Sequence, residues 1–190
     1  MRLVKDIWNY FGQSQSVSTR LLHFSVILLV AGQFLTSELV DLKHASHAGQ
    51  SIAFSFGTWA HILPGLLLAV IAMIFVVSEL SRHGLKYFFP YLFGDLAQVK
   101  TDLQTLVARN LPEVAPGGLA AVVQGLGLLA LGLTLISGLT WFYLVQSGSG
   151  LAHAAIEVHE ALTGLVVAYL IGHGGMGAVH FFLWLRSGAR

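Results

Sequence analysis

Nine of the 190 residues are histidines, in a chain with only ten basic and nine acidic side chains. A neutral imidazole is a good transition-metal ligand and a titratable group near pH 7. His23, His61, His159, His173 and His180 lie in strongly apolar stretches, whereas His44, His47, His83 and His153 fall in loops or at helix ends. Any one of the first five alone reads as a hydrogen-bonded structural histidine, but their spacing as a set suggests more. His159 and His173 are 14 residues apart, so on an ideal helix they share a face, offset by about 40° and separated by about 21 Å. That separation fits two porphyrins stacked within a hydrocarbon core about 30 Å thick. Each porphyrin needs a second axial ligand from another helix, and two imidazoles filling both axial positions favour electron transfer over oxygen binding.

These ligands must be carried by membrane helices. Hydrophobic residues make up 55% of the chain and charged residues 10%, well below the roughly 25% charge of a soluble domain. Apolar stretches at residues 21–40, 51–78, 119–145 and 155–185 each reach the roughly 20 residues needed to cross a bilayer. No Asp, Glu, Lys or Arg occurs within 51–78, 119–145 or 161–185. Backbone groups in lipid must be satisfied internally, so each stretch is predicted to be helical. The expected fold is all-α, a single four-span integral membrane bundle over 1–190 with a cytoplasmic loop over about 79–118. Nine of the ten basic residues precede the first span, occupy the middle loop or follow the last span, and only Lys43 lies opposite. The positive-inside rule therefore places both termini in the cytoplasm. The outer side carries Glu38, Asp41, Glu157 and Glu160 against Lys43, a local charge of −3.

Placed on these spans, His61 and His159 fall toward the outer side, and His23 and His173 toward the inner side. The expected pairs are therefore His61 with His159 and His23 with His173, each holding one haem. Arg20, one turn before His23, is placed to meet an inner haem propionate or to anchor the span; Arg82 is a poorer candidate. His180 lies seven residues after His173, where it meets a propionate, a quinone or the interface. Gly164, Gly172, Gly174, Gly175 and Gly177 suit either close approach of a flat macrocycle or ordinary helix packing. A surface zinc site at His44 and His47 has too little support from neighbouring ligands.

The chain contains no cysteine, which excludes disulfides, thiolate zinc sites, iron–sulfur clusters and covalent haem attachment. The net charge of +1 offers no bulk attraction to nucleic acid. The N-terminal segment does not read as a signal peptide. Its Ile7, Trp8, Tyr10 and Phe11 suit a short helix lying along the membrane surface. In the middle loop, Asp95 is a candidate cap for a helix displaying Leu96, Val99, Leu103, Leu106 and Val107, either an interfacial cushion or a docking face.

The order of one histidine on span one, one on span two, none on span three and two in HX13H spacing on span four resembles the bacterial cytochrome b561 family. TRLLHFSVILLV around His23, WAHILPGLLL around His61 and VHEALTGLVVAYLIGHGGMGAVHFF over 158–182 carry the resemblance. It implies two non-covalent b haems with bis-histidine ligation, residence in the bacterial inner membrane, and exchange with ubiquinone or menaquinone. VVQGLGLLALG on span three departs from members that carry a histidine there, and Gln124 is not a usual haem ligand.

The resemblance points to electron transfer between the quinone pool and a periplasmic cytochrome or the catalytic subunit of a membrane oxidoreductase complex. An alternative within the family is a superoxide:ubiquinone oxidoreductase, although the negative outer surface would repel superoxide and attract a basic protein. From other classes, a histidine-relay proton or metal-ion transporter would need acids stepping along the spans, and a purely structural anchor would not need the histidine spacing.

Overall fold

The computed structural model describes residues 2–40 and 54–188. Asp41, Lys43, His44, His47 and Arg190, together with the start of the expected second span, lie outside the described residues. The helices are α1 (Arg2–Gly12), α2 (Val17–Ser37), α3 (Phe56–His83), α4 (Leu85–Phe88), α5 (Ala97–Val107), α6 (Leu119–Gln146), α7 (Ala152–Tyr169) and α8 (Gly175–Arg186). A 3₁₀ turn, Pro90–Phe93, separates α4 from α5, and a π turn, Leu170–Gly174, joins α7 to α8. Among the described residues, four helical segments are long and apolar enough to cross a membrane: α2, α3, α6 and the continuous run from α7 through α8. This is an all-helical, multi-pass membrane architecture, with the first span beginning earlier than the sequence suggested and the second ending later.

Two antiparallel pairs, α2 with α3 and α6 with α7, pack together mainly through α3 and α6. Their common core contains Val26, Val30, Leu68, Ala130 and Val166. A second cluster, Ile62, Trp141 and Val145, closes the end opposite the chain termini. Gly125 and Gly127 let neighbours approach α6: a Cβ at Gly125 would lie 2.8 Å from the Phe88 carbonyl oxygen, and one at Gly127 would collide with the Tyr169 ring. These glycines therefore serve contacts within the chain.

At the termini end, α1 turns its aromatic face onto the bundle. The rings of Trp8 and Phe24 lie 6.1 Å apart, and Tyr10 reaches Phe181 at 5.4 Å and Trp184 at 5.6 Å. Leu3 and Val4 remain exposed. The segment expected to lie along the membrane surface thus packs one face against α2 and α8.

The middle segment meets expectation in part at its cap, Asp95 accepting the N–H of Ala97, the first residue of α5. Leu96 occupies the N-cap position of α5 and supplies no side-chain bond. Asp95 also pairs with Lys86 at 3.0 Å. The Lys86 hydrogen bond and charge, with the Ala97 N–H, hold the Asp95 carboxyl below the usual carboxylate range. The buried residue of α5 is Asp102, while Leu96, Leu103 and Val107 are exposed. Asp102 accepts hydrogen bonds from the Leu119 N–H at 2.7 Å and from Gln98 Nε2 at 2.8 Å. It satisfies a first-turn donor of α6, whose own N-cap is Gly118, and places negative charge at the positive end of the helix dipole. Asp102→Ala is expected to cost about 1–2 kcal/mol, with Asp102→Asn retaining most of the stability, as measured by thermal unfolding in detergent.

Candidate functional site

The first part of the site lies at the end of the bundle opposite the termini. His61, in the second turn of α3, and His159, in the middle of α7, both line a cavity of about 410 Å³. The rest of its wall is largely apolar, including Val30, Phe34, Leu68, Leu135 and Trp141, with Glu38 and Glu160 among its few charged residues. Its volume falls within the roughly 300–1,000 Å³ range of small-molecule and cofactor sites.

Local backbone chemistry explains the setting of His61. Pro64 lies one turn later inside α3, and a proline cannot donate to the carbonyl four residues earlier. The nearby His61 carbonyl receives Gln33 Nε2 of α2 at 3.1 Å, a polar link between helices of a kind favoured inside membranes. Gly65, next to the proline, provides room for this link, since a Cβ there would lie 3.0 Å from Gln33 Oε1. The His61 ring then meets Thr36 through Nδ1, 3.2 Å from Oγ1. His159 is held against α6 in a similar manner. Its Nδ1 lies 3.0 Å from the Thr134 carbonyl oxygen and 3.1 Å from Ser137 Oγ. Gly138 allows this approach, for a Cβ there would lie 3.0 Å from His159 Cε1.

The second part lies toward the termini end. His23 of α2 and His173 of the π turn face each other with ring centres 6.2 Å apart and planes at 68°. Phe75 lies nearly parallel to His23 at 6.0 Å, and Phe11 approaches it edge-on at 5.7 Å. Tyr169 lies against His173 at 4.9 Å, with the two planes 13° apart. Aromatic packing therefore orients this pair. Neither ring makes a hydrogen bond to another described residue.

The π turn changes the expected geometry of the last span. It accommodates an additional residue relative to a regular α-helix, so the 40° offset calculated for an unbroken helix does not carry through to His173. The alignment expected between His173 and His180 is likewise interrupted at its start. His180 is half-buried on α8 and has no side-chain partner among the described residues. Arg20 is buried beside α1: Nη1 donates to the Trp8 carbonyl oxygen at 2.9 Å and the guanidinium lies 4.1 Å from the Trp8 ring centre. Its buried Nε has no partner among the described residues. Arg82 instead donates to the hydroxyls of Ser16, Ser18 and Thr19.

Among the described residues, a Cβ at Gly164, Gly172, Gly174, Gly175 or Gly177 would meet nothing within 4 Å outside the local helix, so no close packing between described helices depends on them. Among the described residues, no three metal-ligating side chains gather into a cluster. The histidine sites are two-membered, unlike a four-coordinate structural zinc site. Sequence reading missed Thr36, Thr134, Ser137 and Tyr169. Thr36 lies 25 residues before His61 and Ser137 22 before His159, so no short motif linked them to the rings they contact.

Four apolar spans with facing histidines on different helices define a membrane bundle suited to hold a ligand-bound group between its helices. The profile of the prokaryotic cytochrome b561 family matches residues 14–187, and the chain belongs to that family. Membership implies a b-type haem cytochrome. No curated protein and no solved structure matches the chain.

The Gly127–Tyr169 contact links packing to the second histidine pair. Gly127→Ala is expected to displace the ring against His173 and destabilise the protein by about 1–3 kcal/mol. Gly132→Ala, where an added Cβ meets nothing within 4 Å, should instead gain about 0.5–1 kcal/mol from helix propensity. Paired thermal-unfolding measurements in detergent distinguish these directions.

Proposed function

We propose that this protein is a dihaem b-type cytochrome that transfers electrons between a membrane quinone and a redox partner. The observation that carries the reading is the presence of two histidine pairs toward opposite ends of one bundle. His61 and His159 line one cavity, while the rings of His23 and His173 are 6.2 Å apart. Two metal–nitrogen bonds of about 2 Å each, plus about 1 Å from each nitrogen to its ring centre, give a similar separation of roughly 6 Å.

A b-type haem at each pair would supply reversible one-electron transfer. His61 and His159 hold the first through Nε2, their Nδ1 atoms being engaged by the protein. His23 and His173 hold the second between Phe75 and Tyr169. Gly138 accommodates the His159 ring. Arg20, whose buried Nε has no partner among the described residues, supplies positive charge for a propionate near the second pair, and His180 marks the same end for quinone. The basic-residue distribution supports a cytoplasmic location for both termini, and the family supports a prokaryotic membrane.

Glu38, Glu157 and Glu160 are exposed at the opposite end, and two of them line the His61–His159 cavity. This charge favours a basic face on a periplasmic cytochrome or catalytic subunit and disfavours an anionic radical donor. Electron transfer from a basic donor protein should slow as ionic strength rises; a salt-independent rate would argue against electrostatic docking.

Purified protein should contain two b haems per chain by pyridine haemochrome assay and show a b-type reduced-minus-oxidised spectrum. His61→Ala or His159→Ala should remove one haem, and His23→Ala or His173→Ala the other. Protein without haem would overturn the reading, whereas one haem per chain would break the pairing.

A further inference from the structure

The geometry points to Thr36 and Ser137 as positioning residues that fix the proton position of the His61–His159 pair and make its haem the lower-potential member of the two. This inference rests on the ligation proposed above. It begins with the hydrogen each hydroxyl can donate. Thr36 Oγ1 lies 2.8 Å from the Gly32 carbonyl oxygen and 3.3 Å from that of Gln33. Its one hydrogen is directed to those acceptors, a common arrangement for a helical threonine. Toward His61 Nδ1, at 3.2 Å, the oxygen therefore accepts. The proton must reside on Nδ1, leaving the Nε2 lone pair for iron.

The same accounting holds on the other helix pair. Ser137 Oγ donates to the Thr134 carbonyl oxygen at 2.8 Å and accepts from His159 Nδ1 at 3.1 Å. The Thr134 carbonyl, 3.0 Å from the same Nδ1, can only accept. Both contacts require a proton on Nδ1. Thus α2 fixes the ligand carried by α3, and α6 fixes the ligand carried by α7.

His23 and His173 provide the internal comparison. Among the described residues, their rings have aromatic neighbours and no hydrogen-bond partner. A hydrogen bond donated from Nδ1 makes the opposite nitrogen a stronger electron donor and orients the ring. A stronger donor favours oxidised over reduced iron, so this difference lowers the potential at the His61–His159 end.

Potentiometric titration of the purified haem-loaded protein, followed by reduced-minus-oxidised spectra, tests the assignment. Wild type should show two midpoints, with the lower one lost in His61→Ala. Thr36→Val removes the hydroxyl bonded to His61 Nδ1 while the Gln33 backbone remains beside the ring, and should raise that midpoint by up to a tenfold change in relative affinity for the two iron states, about 59 mV for one electron. Ser137→Ala likewise leaves a backbone partner, the Thr134 carbonyl, in place and should also raise that midpoint. Thr36→Ser should restore near-wild-type behaviour, and the higher midpoint should remain unchanged throughout. Loss of one haem in Thr36→Val with retention in Thr36→Ser also supports positioning by the hydroxyl.

Two haems with unchanged midpoints in both variants would overturn the inference while leaving the cytochrome reading intact. The same conclusion follows if the midpoint lost in His61→Ala is the higher one, or if Thr36→Ser shifts as Thr36→Val does. A wild-type protein without haem would overturn the underlying reading and this inference together.

Discussion

Inside a bilayer there is no bulk water to satisfy a stray N–H or carbonyl oxygen, so the protein must supply partners for its own polar groups. That constraint connects many of the structural features described here. The His61 carbonyl receives the Gln33 amide, the His61 ring meets Thr36, and the His159 ring meets both Thr134 and Ser137. Near the termini, Asp102 receives the first N–H of α6, while the Trp8 carbonyl receives Arg20. These bonds join different elements, so satisfying local polar groups also orders the bundle.

The two histidine pairs use different supports within that order. At one end, hydroxyls and a carbonyl hold the rings by their Nδ1 atoms. Toward the other, Phe11, Phe75 and Tyr169 orient the rings through packing. Aromatic side chains combine large apolar area with defined contact geometry, so α1 contributes more than a surface covering. Its Phe11 touches His23 while its Tyr10 engages α8. The N-terminal helix thereby couples the first and last spans around the second pair.

Much of the architecture was legible because membrane spans have a strong compositional signal. The long uncharged stretches identified the four spans, and histidines on three of them identified residues suited to pair across the bundle. The family resemblance independently pointed to a b-type cytochrome, consistent with the match over 14–187. Finer geometry was less legible. Asp95 looked like the cap of the following helix and does accept the Ala97 N–H at its start, but its ion pair with Lys86 was not visible in the sequence. Asp102 lay hidden in a segment read for apolar periodicity, because its partner Leu119 is 17 residues away. Thr36 and Ser137 were obscured for the same reason: their importance comes from tertiary contacts between spans, not from a local motif. Local pattern also treated the last span as a uniform helix and missed its π turn.

That turn has a consequence for the phase of the chain beyond it. Each residue advances an α-helix by about 100° and 1.5 Å, so accommodating one extra residue resets the direction in which every later side chain projects. Phe181 and Trp184 meet Tyr10 from α8, downstream of this reset. The turn is thus a phase adjuster: α7 can keep His159 against α6 while α8 presents a separately aligned aromatic face to α1. One span can serve two surroundings whose angular demands differ.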